Sequence, residues 1–321
     1  MNPINHHYVA QHVLRRFCDP QGILWTYDKE TESMSPGRPK SRASGKHFYS
    51  FKGRSGVVDS ATIELKFLGK IDNDGSVAIQ RLLRRERLTG EQISNFMRFA
   101  AAQMIRVESY FRRLDGMLTA LLQESAMRMF KHSEVFKARV TQRLRDKAMD
   151  EHKIEEFMAS LRRGEVDISA NRGYIVTSFL RSLDMITAHF CQMKWGFLCG
   201  KSTDQAFLLS DNPLVLTDVS EGESRPLGIL NRNIEVTMPL SPTTVALARW
   251  DEGVGYGTIQ SDYISTVNQR TIDQAQRYVY APYRSEKLLA RVVASQGRQA
   301  KTRVEKVKHG DATILLSTYS H

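Results

Sequence analysis

Apolar residues at four-residue spacing mark the first element. Val9, Val13 and Phe17, with Leu14 beside them, make the stripe of a buried helical face and predict a short helix over residues 5–18. Residues 22–28, Gly-Ile-Leu-Trp-Thr-Tyr-Asp, carry β-branched and aromatic side chains in near alternation and predict a strand. Residues 31–46 are rich in Ser, Gly, Pro and Lys and read as a loop, followed by a brief extended piece over 46–51. From about 58 to 194 the period is helical. Thr89 and Gln92 stand in the Thr-x-x-Gln spacing of a capping box, with Ile93, Phe96, Met97 and Ala100 behind them, and this helix is expected to run past Met117. Residues 133–163 are strongly charged and read as exposed helices. Residues 173–193 return to an apolar helix carrying Ile175, Phe179, Leu183, Ile186 and Phe190.

After Trp195 the period shortens. Runs at 196–200, 206–210, 214–216, 234–237 and 244–248 read as strands separated by Gly, Asn, Asp and Pro, while Gly253 to Gly257 reads as a turn. Helices are expected over 261–277 and 284–294, and a last strand at 313–316. The sum is an α+β fold with a mostly helical centre, about 58–194, flanked by strand-rich N- and C-terminal parts. The N-terminal strand is too small to stand alone, so the two ends are candidates to share one sheet. The whole chain, 1–321, reads as a single domain with a strand-rich part over about 195–321.

Charge adds a second theme. The net charge of +11 is concentrated: residues 281–309 hold eight Lys or Arg against Glu286 and Glu305. Arg284, Arg291, Arg298, Lys301, Arg303, Lys306 and Lys308 are therefore candidate nucleic-acid contacts, because clustered cations release counterions from phosphate chains. A well-solvated basic surface is the plain alternative. Cys18, Cys191 and Cys199 are few and scattered, as expected of reduced thiols. With neither a signal-peptide pattern nor a membrane-length apolar run, the chain is expected in the cytoplasm and off the membrane.

Several polar positions could carry chemistry. His7, Gln11 and Arg15 fall at i, i+4 and i+8, opposite the apolar stripe if 5–18 is helical, and such a stack suits phosphate or carboxylate as well as ordinary loop hydrogen bonding. Glu64 and Asp72 lie eight residues apart, near one face of an unbroken helix. Gln103 and Arg106 interrupt an apolar stretch, so they are either buried and paired or lining a cavity. Asp211, in Ser210-Asp-Asn-Pro213, ends a strand either as a site carboxylate or as an Asx-turn cap. There is no Gly-rich phosphate loop, Gly-x-Ser-x-Gly elbow, His-Glu-x-x-His or Cys-x-x-Cys, which argues against nucleotide-driven motors, zinc peptidases and common serine hydrolases.

His7-Tyr-Val-Ala-Gln11 with Leu14-Arg-x-Phe17, then Leu24-Trp-Thr-Tyr-Asp-Lys29, resembles the opening of the bacterial family called domain of unknown function 4238. The resemblance continues through Ala102–Arg106, Leu209–Pro213, Pro239–Pro242, Asn268 and Arg277–Tyr280. Ala10 stands where proline is usual, and Asp72 where a second glutamate is usual. The resemblance implies no established activity. It does imply that His7, Gln11, Arg15, Glu64, Asp72, Gln103, Arg106 and Asp211 converge on one site.

The sharpest expectation is a nuclease or other phosphodiesterase. Glu64, Asp72 and Asp211 would hold Mg²⁺ or Mn²⁺, His7 would move the proton, and Arg15 and Arg106 would stabilise charge on the phosphate. A non-catalytic nucleic-acid-binding protein and an enzyme acting on a small anionic metabolite remain open beside it. The geometry of the carboxylates discriminates. Three within reach of one ion favour the metal, whereas carboxylates each paired to an arginine favour the binding protein.

Overall fold

The computed structural model describes residues 5–46, 51–52, 58–59, 67–200, 206–220, 228–251, 253, 255–298, 301–309 and 312–320. It is an α+β fold with helices in the centre and sheets at both ends. The N-terminal part holds β1 (Asn5–His7), α1 (Gln11–Arg16), β2 (Leu24–Asp28), β3 (Ser33–Gly37), β4 (Ser44–Lys46), β5 (Phe51–Lys52) and β6 (Val58–Asp59). β1 pairs antiparallel with β4, His7 opposite Ser44, and Tyr8 N–H extends the pairing to the Ala43 carbonyl at 3.0 Å. The chain is thus committed to extended backbone until Ala10, whose ψ of 131° precedes the first helical residue. The helix expected over 5–18 is therefore only its second half, although Val9, Val13, Leu14 and Phe17 are all buried as the stripe requires. The expected loop over 31–46 contains β3, a short 3-10 turn at Pro39–Ser41 and β4. β3 is an edge strand with mostly exposed side chains, so a polar, turn-rich composition does not betray it.

The centre is α2 (Gly69–Leu83), α3 (Gly90–Ile105), α4 (Glu108–His132), α5 (Glu134–Arg145), α6 (Glu151–Arg163) and α7 (Arg172–Gln192). α3 starts on the expected capping box: Thr89 Oγ1 accepts from Gln92 N at 3.3 Å, and Gln92 Oε1 accepts from Thr89 N at 3.0 Å. It does not run past Met117. Val107 turns extended and α4 begins at Glu108, a break with neither Gly nor Pro to announce it. Val107 is buried and Arg106 is held by Asp72 of α2, so tertiary partners fix the bend. α2 and α3 approach closely because position 75 is glycine. A Cβ there would sit 2.5 Å from Phe99 Cγ. α7 buries Phe179, Leu183 and Phe190 completely in the main core, at roughly 1.5–3 kcal/mol each. α5 buries no residue and α6 only Ile154 and Leu161, as their charged sequences predict. No helix among the described residues is long and apolar enough to cross a membrane.

The C-terminal part holds β7 (Lys194–Gly200), β8 (Leu209–Ser210), β9 (Val215–Asp218), β10 (Ile234–Ser241), β11 (Thr244–Arg249), β12 (Gly255–Ile259), α8 (Ser261–Gln274), β13 (Tyr278–Ala281), α9 (Glu286–Val293), β14 (Lys301–His309) and β15 (Ala312–Ser320). A five-stranded sheet runs β12-β7-β11-β10-β9, with only β12 parallel to its neighbour. The run read as a turn at Gly253–Gly257 therefore enters β12, an exposed edge strand that tolerates glycine. Every residue of β10 is buried, because one face meets the main core and the other faces a smaller cluster with Ile264 and Val267 of α8. A second sheet runs β3-β2-β13-β8 and joins the two ends of the chain, as the short N-terminal strand requires.

Candidate functional site

The N-terminal segment positions two polar rows on either side of α1. On the outer side Arg15 Nη2 donates to Gln11 Oε1 at 3.0 Å, and Gln11 Nε2 meets His7 Nε2 at 2.9 Å. The row expected from helical spacing exists, yet His7 reaches it from strand β1 rather than from the helix. Direction follows from chemistry. A guanidinium only donates, so Gln11 turns its oxygen to Arg15 and its amide to His7, whose Nε2 must accept. The lone pair that a general base would use is already taken. The Lys40 carbonyl lies 3.4 Å from the same nitrogen.

On the inner side lie residues that helical spacing did not single out. His12 rests against the Phe99 ring of α3, centroids 5.1 Å apart, and its Nδ1 faces Arg16 Nη1 at 2.7 Å. Burial first, then the charges of Arg16, Arg106 and Arg15, push the His12 pKa down to about 3. Burial likewise lowers Arg16 to about 10. Gln103 is completely buried and its Oε1 faces the Ala10 N–H at 3.5 Å. The one available signal for His12 was its position inside the His7–Phe17 segment, one residue off the row that was chosen.

The expected metal ligands have other partners. Arg106, 1% exposed, holds Asp72 with two parallel bonds, Nη1 to Oδ1 at 2.6 Å and Nη2 to Oδ2 at 3.2 Å. Asp211 caps the start of β13. Its Oδ1 accepts from Gln276 N at 2.7 Å, and its Oδ2 accepts from Arg277 N and Tyr278 N at 2.7 and 2.8 Å. Burial pushes the Asp211 carboxyl up to about 6, against the pull of those three amides and of Lys29. Lys29 itself is buried, donates to the Ala275 carbonyl at 2.9 Å and is lowered by burial to about 8. Tyr8 and Tyr280 lie near Asp211, and burial raises both phenols. Among the described residues no three His, Cys, Asp or Glu side chains are grouped to hold a metal ion. Asp72 and Asp211 are thus each engaged with partners within the fold. Glu64 lies outside the described residues.

Another buried carboxylate escaped the sequence reading. Glu235, completely buried on β10, is gripped by Arg249 and Arg270 and accepts from the Tyr263 hydroxyl at 2.9 Å. Its charge is fully matched within the fold, which marks it as a fixture between the five-stranded sheet and α8.

The described part of the basic segment follows α9, which buries Leu288 and Val292 and leaves Arg284, Lys287 and Arg298 exposed. Arg284 pairs with Glu286 at 2.9 Å, Arg291 donates to Gln269 at 3.0 Å, and Arg298 stands 3.9 Å from Asp273. The backbone of Lys301, Arg303, Lys306 and Lys308 forms β14; their side chains lie outside the described residues.

Comparison with curated proteins and with solved structures returned no match. One family does match, over residues 5–285, which takes in both polar rows of α1, the Arg106–Asp72 pair and the Asp211 cap but stops before α9. The chain belongs to that family, described as protein of unknown function (DUF4238).

Proposed function

We propose that the chain binds nucleic acid through its basic surface, with little sequence preference. The observation that carries this reading is α9, whose apolar face is used up in the fold while Arg284, Lys287 and Arg298 stay exposed, at the start of a stretch holding eight cations against two carboxylates. Cations so placed gain from neutralising phosphates and releasing their counterions. The fates of Asp72 and Asp211 favour binding over metal-assisted cleavage, since each carboxylate is already engaged.

A second reading, cleavage of the bound phosphodiester, draws on the outer row of α1. Arg15 is exposed and could meet a phosphate, and the His7 imidazole at the far end of the same row is a group able to transfer protons. A part in bacterial defence or toxin action would suit such an activity.

One experiment separates the readings. The full chain is mixed with RNA, single-stranded DNA and duplex DNA, with and without Mg²⁺ or Mn²⁺, and both binding and strand length are followed. Binding should weaken by about one log unit per log unit of salt for each phosphate contacted. Changing Lys287, Arg298, Arg303 and Lys306 together to Ala should weaken binding and flatten that slope. Absence of binding at low salt would end the polyanion reading, and shortened strands would bring the second reading forward.

A further inference from the structure

The inner row of α1 brings together buried hydrogen-bond donors that have no partner among the described residues. Arg16 can only donate, so His12 Nδ1 must be the acceptor and the ring proton sits on Nε2. That nitrogen is buried and has no partner among the described residues. The Ala10 N–H likewise only donates, which turns Gln103 Oε1 toward it and leaves the Gln103 amide nitrogen as a second donor. The residue is completely buried and this nitrogen also lacks an acceptor among the described residues. The two groups are neighbours in the fold. His12 lies on Phe99, one turn before Gln103 on α3, and Gln103 reaches the backbone two residues before His12.

Burying a donor without an acceptor is costly, so two such donors in one neighbourhood call for an acceptor. The surroundings specify its charge. Arg16, Arg106 and Arg15 all act on His12, and the same field that keeps its ring neutral favours a negative group beside it. We propose that His12 Nε2 and the Gln103 amide, between α1 and α3, form a donor-only site for the oxyanion group, carboxylate or phosphate, of a small molecule. The site is independent of the nucleic-acid reading, which rests on α9 and the residues after it.

The test uses the full chain with inorganic phosphate and acetate as separate probes, each titrated against chloride at constant ionic strength. At least one should raise Tm saturably by about 2 °C or more, as a ligand held only by the folded state does. The same anion should shift the His12 Nε2 resonance in a nitrogen-15 spectrum. Gln103→Met keeps length and apolar fit but removes the amide donor and leaves His12 alone, so the response should fall sharply or vanish. If that variant does not fold, Gln103→Glu serves instead: it keeps an oxygen toward Ala10 and turns the donor into a repelling carboxylate. No saturable rise with either anion would show that the donors serve only solvent and would overturn the proposal. An undiminished response in either folded variant would overturn it too.

Discussion

Arg106 at the end of α3 and Asp72 in the first turn of α2 are joined by two parallel bonds, and the guanidinium is 1% exposed while the carboxylate side chain is 22% exposed. The geometry locks the two helices in register beside Gly75 and Phe99. Removing the carboxylate takes two charge-assisted bonds from a buried cation. Asp72→Ala should therefore cost about 3 kcal/mol, the low end for a broken buried pair because Asp72 keeps some solvent. Replacing both partners, Asp72→Leu with Arg106→Met, should recover most of that loss. Urea unfolding of Asp72→Leu, Arg106→Met and the double variant measures the coupling. Additive losses would mean that the pair contributes nothing as a pair.

Gly75 offers an independent check on the same contact. Alanine is the better helix former by about 1 kcal/mol, so an open site would gain stability. Here the new Cβ would lie 2.5 Å from Phe99, and Gly75→Ala should destabilise by roughly 1–3 kcal/mol instead. Phe99→Leu in the same chain should relieve part of the cost. A stabilised Gly75→Ala would show that α2 and α3 stand further apart.

Asp211→Asn should damage the fold rather than a reaction. Both carboxylate oxygens accept backbone N–H groups, and an asparagine would point its own donor at one set of them. Losing charge-assisted bonds at a site 5% exposed should cost about 2–4 kcal/mol, seen as a clear fall in Tm. An unchanged Tm would contradict the cap. The sequence left open whether Asp211 was a turn cap or a site carboxylate; the bonds to residues 276–278 span some 65 positions and no local pattern encodes them.

Acid stability should carry the mark of His12. Its pKa in the fold, about 3, lies below the ordinary 6.5, so the unfolded chain takes up the proton first. The contribution is full above pH 6.5 and is lost as pH falls toward 3. Asp211 acts in the opposite sense: its value is raised from 3.8 to about 6, so its contribution is full at low pH and is lost as pH rises through that range. Comparing Tm with His12→Gln between pH 7 and 4 isolates the histidine. The variant should lose less than the wild type on acidification, and parallel curves would show that His12 is not buried neutral.

Much of the architecture was legible because it is written in local periods. The capping box at Thr89, the apolar stripes of α3 and α7 and the charged α5 and α6 all follow from neighbouring residues. What escaped depends on distant partners: β1 and β3, which exist because β4 and β2 lie alongside; β13, which has no turn signals of its own; and the bend at Val107. The candidate site divides the same way. Spacing found His7, Gln11 and Arg15 with the wrong backbone beneath His7. It missed His12, whose importance depends on Phe99 and Gln103, about 90 residues away.

The pairing of β13 with β2 sets Tyr278 opposite Asp28, so the second sheet lacks one of its two central strands until residue 281 has been made. At roughly 5–20 residues per second, the β2–β3 hairpin must wait on the order of 12–50 s on the ribosome for its partner. During that interval one edge of β2 is open to pairing with any extended segment nearby. The order of synthesis thus leaves the N-terminal hairpin without its sheet partner for most of the time the chain is being made.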